Sequence, residues 1–162
     1  MPDELQMQIA ALLEDAATVA IIATLDESGA PRTVPSPFLR QDAAGRLVHL
    51  ELLETSTTHR NLLRSIWFDK PVSVTLSGRN GMVLVITGRP HKAHVSGPLF
   101  SSHYREVRSK LGDVDLAAVW LIEPEQLSDE TYVTCKAREE KLHPFHLHLD
   151  RLAVSPSLTE GD

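Results

Sequence analysis

Two runs, Val72-Ser-Val-Thr-Leu-Ser77 and Met82-Val-Leu-Val-Ile-Thr87, lie either side of Arg79-Asn80-Gly81 and commit this part of the chain to an antiparallel hairpin. Val72, Val74 and Leu76 fall on one face and Ser73, Thr75 and Ser77 on the other, the period of a half-buried strand. An Asn-Gly pair accepts the positive φ angles that a tight turn demands. A hairpin cannot bury its apolar face alone, so the neighbouring segments must supply more sheet.

They do. Val19–Leu25 is a short β-branched run closed by Asp26-Glu-Ser-Gly29. Pro31 to Leu39 carries three prolines, each lacking a backbone donor, and is expected as an irregular strand at an edge. Asp42-Ala-Ala-Gly45 turns the chain into Leu47–Leu52, where Val48, Leu50 and Leu52 read as core and His49 and Glu51 as a polar face. Ala117–Ile122 reads as a further buried strand, Thr131 to Leu142 is ambiguous, and Phe145 to Leu152 alternates weakly. Helices are expected over residues 2–17, from near His59 with Leu62, Leu63, Ile66 and Trp67 on its apolar face, and from Ser96 to Gly112 with Phe100, Tyr104, Val107 and Leu111 sharing a face. About six short strands with few helices, the first four joined locally, fit a closed or partly closed barrel better than a doubly wound parallel sheet.

The 162 residues suit one domain, taken as 1–154 with a loose tail from 155 to 162. Sixteen basic against twenty-two acidic side chains leave a charge of −6 with no Lys/Arg cluster, which argues against nucleic acid or an anionic membrane as the main partner. Cys135 stands alone, so there is neither an internal disulfide nor a thiolate zinc cage. The acidic start Met-Pro-Asp-Glu and the absence of a long apolar run lead to the expectation of a cytoplasmic protein.

The loop Thr55-Ser-Thr-Thr-His-Arg-Asn61 carries the most chemistry. Hydroxyls of Ser56, Thr57 and Thr58 meet the positive end of a helix there, and Arg60 adds a full charge, a combination that suits a phosphate dianion. The alternative is that the threonines only cap the helix.

The order of these segments is similar to that of the pyridoxamine 5'-phosphate oxidase-like, FMN-binding split-barrel family. Strand, Asp-Glu-Ser-Gly, proline-bearing strand, Gly-turn strand, Thr-His-Arg-Asn-Leu62 and Val-Ser-Val74 cover about residues 17 to 90, with an echo at Asp150-Arg-Leu-Ala153. The resemblance implies a six-stranded split β-barrel, mainly β with flanking helices, and a homodimer holding FMN at its interface. It places the flavin ring along Val34, Pro35 and Ser36, with Glu51 and Leu52 at the end of the next strand, and the phosphate at Ser56, Thr57, Thr58 and Arg60, with Asn61 beside it. Ser36 is then the expected backbone N–H at the ring edge, since Pro35 and Pro37 have none, and Glu51 the charge that would lower the flavin's potential. The chain also departs from the oxidase. Thr57 and Thr58 replace its Arg-Lys pair, leaving the phosphate charge to Arg60 and His59; Val83 stands near its glutamine; and its Arg-x-His motif is absent around Thr131 to Arg138. Vitamin phosphate oxidation is therefore not implied.

Three further groups are weighed. In the segment from His143, the residues His146, His148 and Asp150 have a spacing that can seat a metal, but read more simply as a polar strand face, and His91 and His94 as exposed strand-end residues. Tyr104, Arg105 and Arg108 share a helix that could reach a partner's cofactor. No Walker loop, nucleophile elbow or nicotinamide fingerprint occurs. The leading expectation is an FMN-dependent oxidoreductase acting on a small molecule. The alternatives are a non-enzymatic flavin or haem carrier using the same cleft, and a metal enzyme built on the C-terminal histidines.

Overall fold

The computed structural model describes residues 3–144. In chain order these form α1 (Asp3–Glu14), β1 (Val19–Leu25), β2 (Pro31–Pro35), β3 (Arg40–Gln41), β4 (Leu47–Glu51), α2 (Thr57–Trp67), β5 (Val72–Ser77), β6 (Val83–His94), α3 (Gly97–Leu111), β7 (Ala118–Asp129) and α4 (Tyr132–Leu142). All seven strands join one antiparallel sheet in the order β2-β1-β5-β6-β7-β4-β3, curled into a half-barrel. The seventh strand beyond the expected six is the two-residue β3, which pairs only with β4. No helix among the described residues is long and apolar enough to cross a membrane.

The hairpin of β5 and β6 forms in the register the alternation predicts, with Val74 opposite Ile86 and Leu76 opposite Leu84. Both apolar pairs enter the main core, with Ile22, Leu47, Leu62 and the fully buried Trp120. A smaller core of Val48, Leu50, Val107, Leu116, Val119 and Leu121 lies under α3. β4 and the Ala118–Ile122 part of β7 are thus buried on both faces, Leu47 turning to one core and Val48 to the other. This overturns the expectation of a polar face at His49 and Glu51: both are buried, because core closes over each side of the strand.

The proline-bearing strand is at an edge, as its missing donors require. Its register explains which positions proline takes. Ser36 N–H donates to the Ala20 carbonyl at 2.8 Å, and Val34 lies opposite Ile22, so even-numbered residues face β1. Pro31, Pro35 and Pro37 occupy the outward positions, where no ladder bond is lost.

Other elements depart from the sequence reading in informative ways. β6 runs to His94 and β7 to Asp129, well past the apolar runs that announced them, with bulges at Thr87/Gly88 and Pro90/Lys92. α2 starts at Thr57 and buries Thr58, Asn61, Leu62 and Ser65, while Leu63, Ile66 and Trp67 stay on its exposed side. The segment from Thr131 resolves into α4, which has no buried residue and therefore no amphipathic signal. The expected strand over Phe145–Leu152, the echo at Asp150–Ala153 and the tail from Ser155 lie outside the described residues.

The close crossing of β6 and β7 is made possible by Gly88, where an added Cβ would lie 2.5 Å from the Glu123 carbonyl oxygen. Since the obstacle is backbone in a core strand, Gly88→Ala should destabilise the protein by about 1–3 kcal/mol in urea unfolding. An unchanged midpoint would show that the strands can separate there without cost.

Candidate functional site

β4 delivers two ionisable side chains to one end of the main core. His49 and Glu51 share the face of Leu47, and each is less than a tenth exposed. Neither group is tolerated there without partners. Ser36 Oγ lies 2.7 Å from His49 Nδ1, and the Glu51 carboxylate accepts the Leu53 N–H at 3.1 Å and the Ser56 hydroxyl at 2.7 Å. His49 Nε2 faces the same carboxylate at 3.7 Å. Burial pushes the Glu51 carboxyl upward, but the imidazole, the hydroxyl and the N–H outweigh it and hold the group below its ordinary range.

The next element grows from this carboxylate. Ser56 is the N-cap of α2 in extended conformation, its Oγ accepting the His59 N–H at 2.9 Å while its own proton goes to Glu51. The hydroxyl is therefore fully used and has no proton left for an anion, which corrects its expected role as a phosphate donor. Thr57 and Thr58 are the first two residues of α2, and no acceptor among the described residues takes their N–H groups. These are the donors that the sequence predicted at this helix end.

A cavity of about 460 Å³ opens here between the end of β4, the α2 N-terminus and β2. Seven of the eleven residues expected at a cofactor site line it: Val34, Pro35, Glu51, Leu52, Ser56, Thr57 and Thr58. Pro37, Phe38, Leu50 and Leu53 add apolar wall, and His49, Thr55 and Arg32 complete it. Arg32 was invisible to spacing arguments, being a single cation among prolines; its guanidinium has no hydrogen-bond or ion-pair partner among the described residues.

The remaining four expected residues lie elsewhere. Ser36 is 1 % exposed and its N–H is spent on Ala20, so it is not the free donor expected beside a flavin ring. His59 turns away, accepting the Trp120 indole N–H at 3.2 Å. Asn61 is buried and donates to Thr24 Oγ1 at 2.9 Å, pinning α2 to β1. Arg60 occupies a neighbouring cleft of about 240 Å³ with Asp26, Glu27 and Arg64, where it donates to Thr57 Oγ1 at 3.3 Å. Thr57 is the residue the two clefts share.

No protein-family model matches the chain, and no curated protein matches it in sequence. Solved structures do match in shape. HupZ of Group A Streptococcus superposes with a TM-score of 0.63 at 16% identity, over 78% of this chain and 94% of that one. An FMN-binding protein from Syntrophomonas wolfei gives 0.62 at 11% identity, over 78% and 86%. A pyridoxamine 5'-phosphate oxidase-like protein from Listeria innocua gives 0.57 at 18% identity, over 78% and 98%. The fold is the split β-barrel of these structures.

Other groups singled out in the sequence do not join the split barrel's cavity. Tyr104 and Arg108 bind the loop after α3, through Asp115 and Asp113, and Arg105 bonds the Ser101 carbonyl. The Cys135 thiol donates to Glu130, whose carboxylate pushes it upward, away from thiolate chemistry. Among the described residues no cluster of three metal-binding side chains occurs; His91 and His94 sit on β6, while His146, His148 and Asp150 lie outside the described residues.

Because Glu51 is held below its ordinary value in the folded protein, its charge contributes stability that is present above the unfolded carboxyl value and lost as pH falls through the folded one. Glu51→Gln should therefore cost about 1–3 kcal/mol at neutral pH, and the difference from wild type should shrink in acid, below about pH 4. Urea melts at a series of pH values check this, and a pH-independent difference would contradict it.

Proposed function

We propose that this protein is an FMN-binding flavoprotein, an oxidoreductase acting on a small molecule, and that it works as a homodimer with the cavity at its interface. The observation that carries the reading is the donor set at the α2 N-terminus. Two N–H groups and an Arg32 guanidinium that have no partner among the described residues surround one cavity with the Thr57 and Thr58 side chains, and together they match a phosphate dianion. The apolar wall from Val34 to Phe38 and from Leu50 to Leu53 offers a surface for a flat ring. A flavin bound there would supply the electron-transfer chemistry, which leaves the chain to bind, orient and exclude water.

Dimerisation follows from surface that one chain leaves uncovered. Leu53 at the cavity mouth is 65% exposed, and α2 presents Leu63, Ile66, Trp67 and the adjoining Phe68, with Trp67 81% exposed. Exposed apolar side chains of this size favour coverage by a second copy.

The absorption spectrum of the purified protein, followed by titration of stripped protein with FMN, tests the reading. Flavin bands and saturable binding are expected. Arg32→Ala should weaken binding by about 1.5–3 kcal/mol, or about ten- to more than a hundredfold, as for a hydrogen bond to a charged group. Arg60→Ala should weaken it less, because its guanidinium lies in the neighbouring cleft. Failure to bind FMN, or an Arg32→Ala affinity equal to wild type, would overturn the assignment; a monomer by sedimentation would overturn the interface.

A further inference from the structure

The surface that holds the cavity continues past Thr57. Along α2, Thr57, Arg60, Asn61 and Arg64 recur at helical spacing and, with Asp26 and Glu27 of the β1–β2 turn, line the neighbouring cleft of about 240 Å³. Asp26, Glu27 and Arg64 also line a further cleft of about 230 Å³, to which α2 and the chain after it add Ser65, Phe68 and Lys70. Shared lining residues thus chain three spaces along one side of the helix. The helical rise sets Arg64 about 10 Å beyond Thr57.

These clefts have a binding chemistry of their own. Thr57 Oγ1 accepts an Arg60 N–H at 3.3 Å, and its own proton has no acceptor among the described residues. Arg60, Arg64 and Lys70 form no ion pair among the described residues; Arg64 lies instead over the Phe68 ring, 5.1 Å from its centre. Ser65 is 3% exposed, and its buried hydroxyl has no hydrogen-bond partner among the described residues, a polar atom left to be satisfied in the wall of the far cleft. Two carboxylates stand beside the cations. Asp26 gives one oxygen to Ser28 and Ala30 of its own turn, and Glu27 is exposed. Arg60 and Arg64 against Asp26 and Glu27 leave the nearer cleft without net charge, so a free dianion gains little there. A group that is anionic at one end and offers a flat face and hydrogen-bond donors at the other is matched.

We propose that the ligand extends past its first phosphate along these clefts, and that it is flavin adenine dinucleotide, FAD. The Thr57 hydroxyl and Arg60 meet the second phosphoryl group, which carries a single negative charge. The Arg64 guanidinium, backed by Phe68, offers a planar cation to the purine, and the carboxylates of Asp26 and Glu27 accept its exocyclic amine. FMN ends in its phosphate and engages none of these groups beyond Thr57.

The inference rests on reading the cavity as a flavin site, and parallel titration of stripped protein with FAD and FMN tests the two separately. FAD should bind about tenfold more tightly than FMN. Arg64→Ala should lower FAD affinity about tenfold more than FMN affinity, as for loss of a stacking partner. Should that variant fail to fold, Glu27→Lys, on the exposed turn, replaces an acceptor for the amine with a cation and should show the same selective loss. Equal affinity for the two flavins, or variants that weaken both alike, would overturn the extension and leave the flavin reading standing. Saturable binding of adenosine diphosphate to FMN-loaded protein would assign the clefts to a separate nucleotide and overturn the single ligand. Binding of neither flavin would overturn the flavin reading and this inference with it.

Discussion

A carboxylate inside a protein must be held by donors, and satisfying Glu51 organises this end of the barrel. β4 is buried on both faces, so Glu51 cannot reach bulk water as an exposed strand residue would. Its partners come from three places: the imidazole two residues back, the chain turning out of the strand at Leu53, and the hydroxyl of Ser56. The last of these fixes where α2 begins. Ser56 caps the helix while donating to Glu51, so the position of the carboxylate and that of the first free helical N–H groups are one constraint. The cavity has its shape because of it.

What could be read from the sequence was what depends on neighbours in the chain. The β5–β6 hairpin was legible because side-chain alternation and an Asn-Gly turn are local. The helix end at Ser56–Thr58 was legible for the same reason. The far halves of β6 and β7 were not: Gly88, Pro90 and Pro124 interrupt their apolar pattern, and the strands persist there only because each has the other as partner. α4 left no periodicity to read, since it buries nothing. His49 and Glu51 looked like a solvent face because alternation in β4 says which side chains share a face, not whether a second core covers it.

The same boundary separates the found from the missed parts of the site. Thr57 and Thr58 could be placed from their own loop, whereas the pairing of Ser36 with His49 spans thirteen residues and two strands. Arg32 shares a cavity with α2 only through the curl of the sheet, and no spacing in the chain brings it there. Arg60, chosen for being next to the hydroxyls, follows the helical turn into the adjoining cleft. Segment order pointed to this cavity; side-chain direction on a helix decided which cation faces it.

The proline-bearing strand limits how that wall can recognise a ligand. With Ser36 N–H directed at Ala20, even-numbered residues of β2 point their donors inward, toward β1. The outward positions are Pro31, Thr33, Pro35 and Pro37, and only Thr33 has an N–H to offer. The prolines deny a passing strand the donors it would need to extend the sheet, which protects this edge from mispairing. They also make the cavity asymmetric. One wall offers carbonyl oxygens and apolar ring surface, while the donors are concentrated at the α2 N-terminus and on Arg32. A ligand suited to this arrangement is flat and apolar along the strand and anionic at the helix, so the donors that proline removes from one wall and those that α2 and Arg32 supply at the other act together on its orientation.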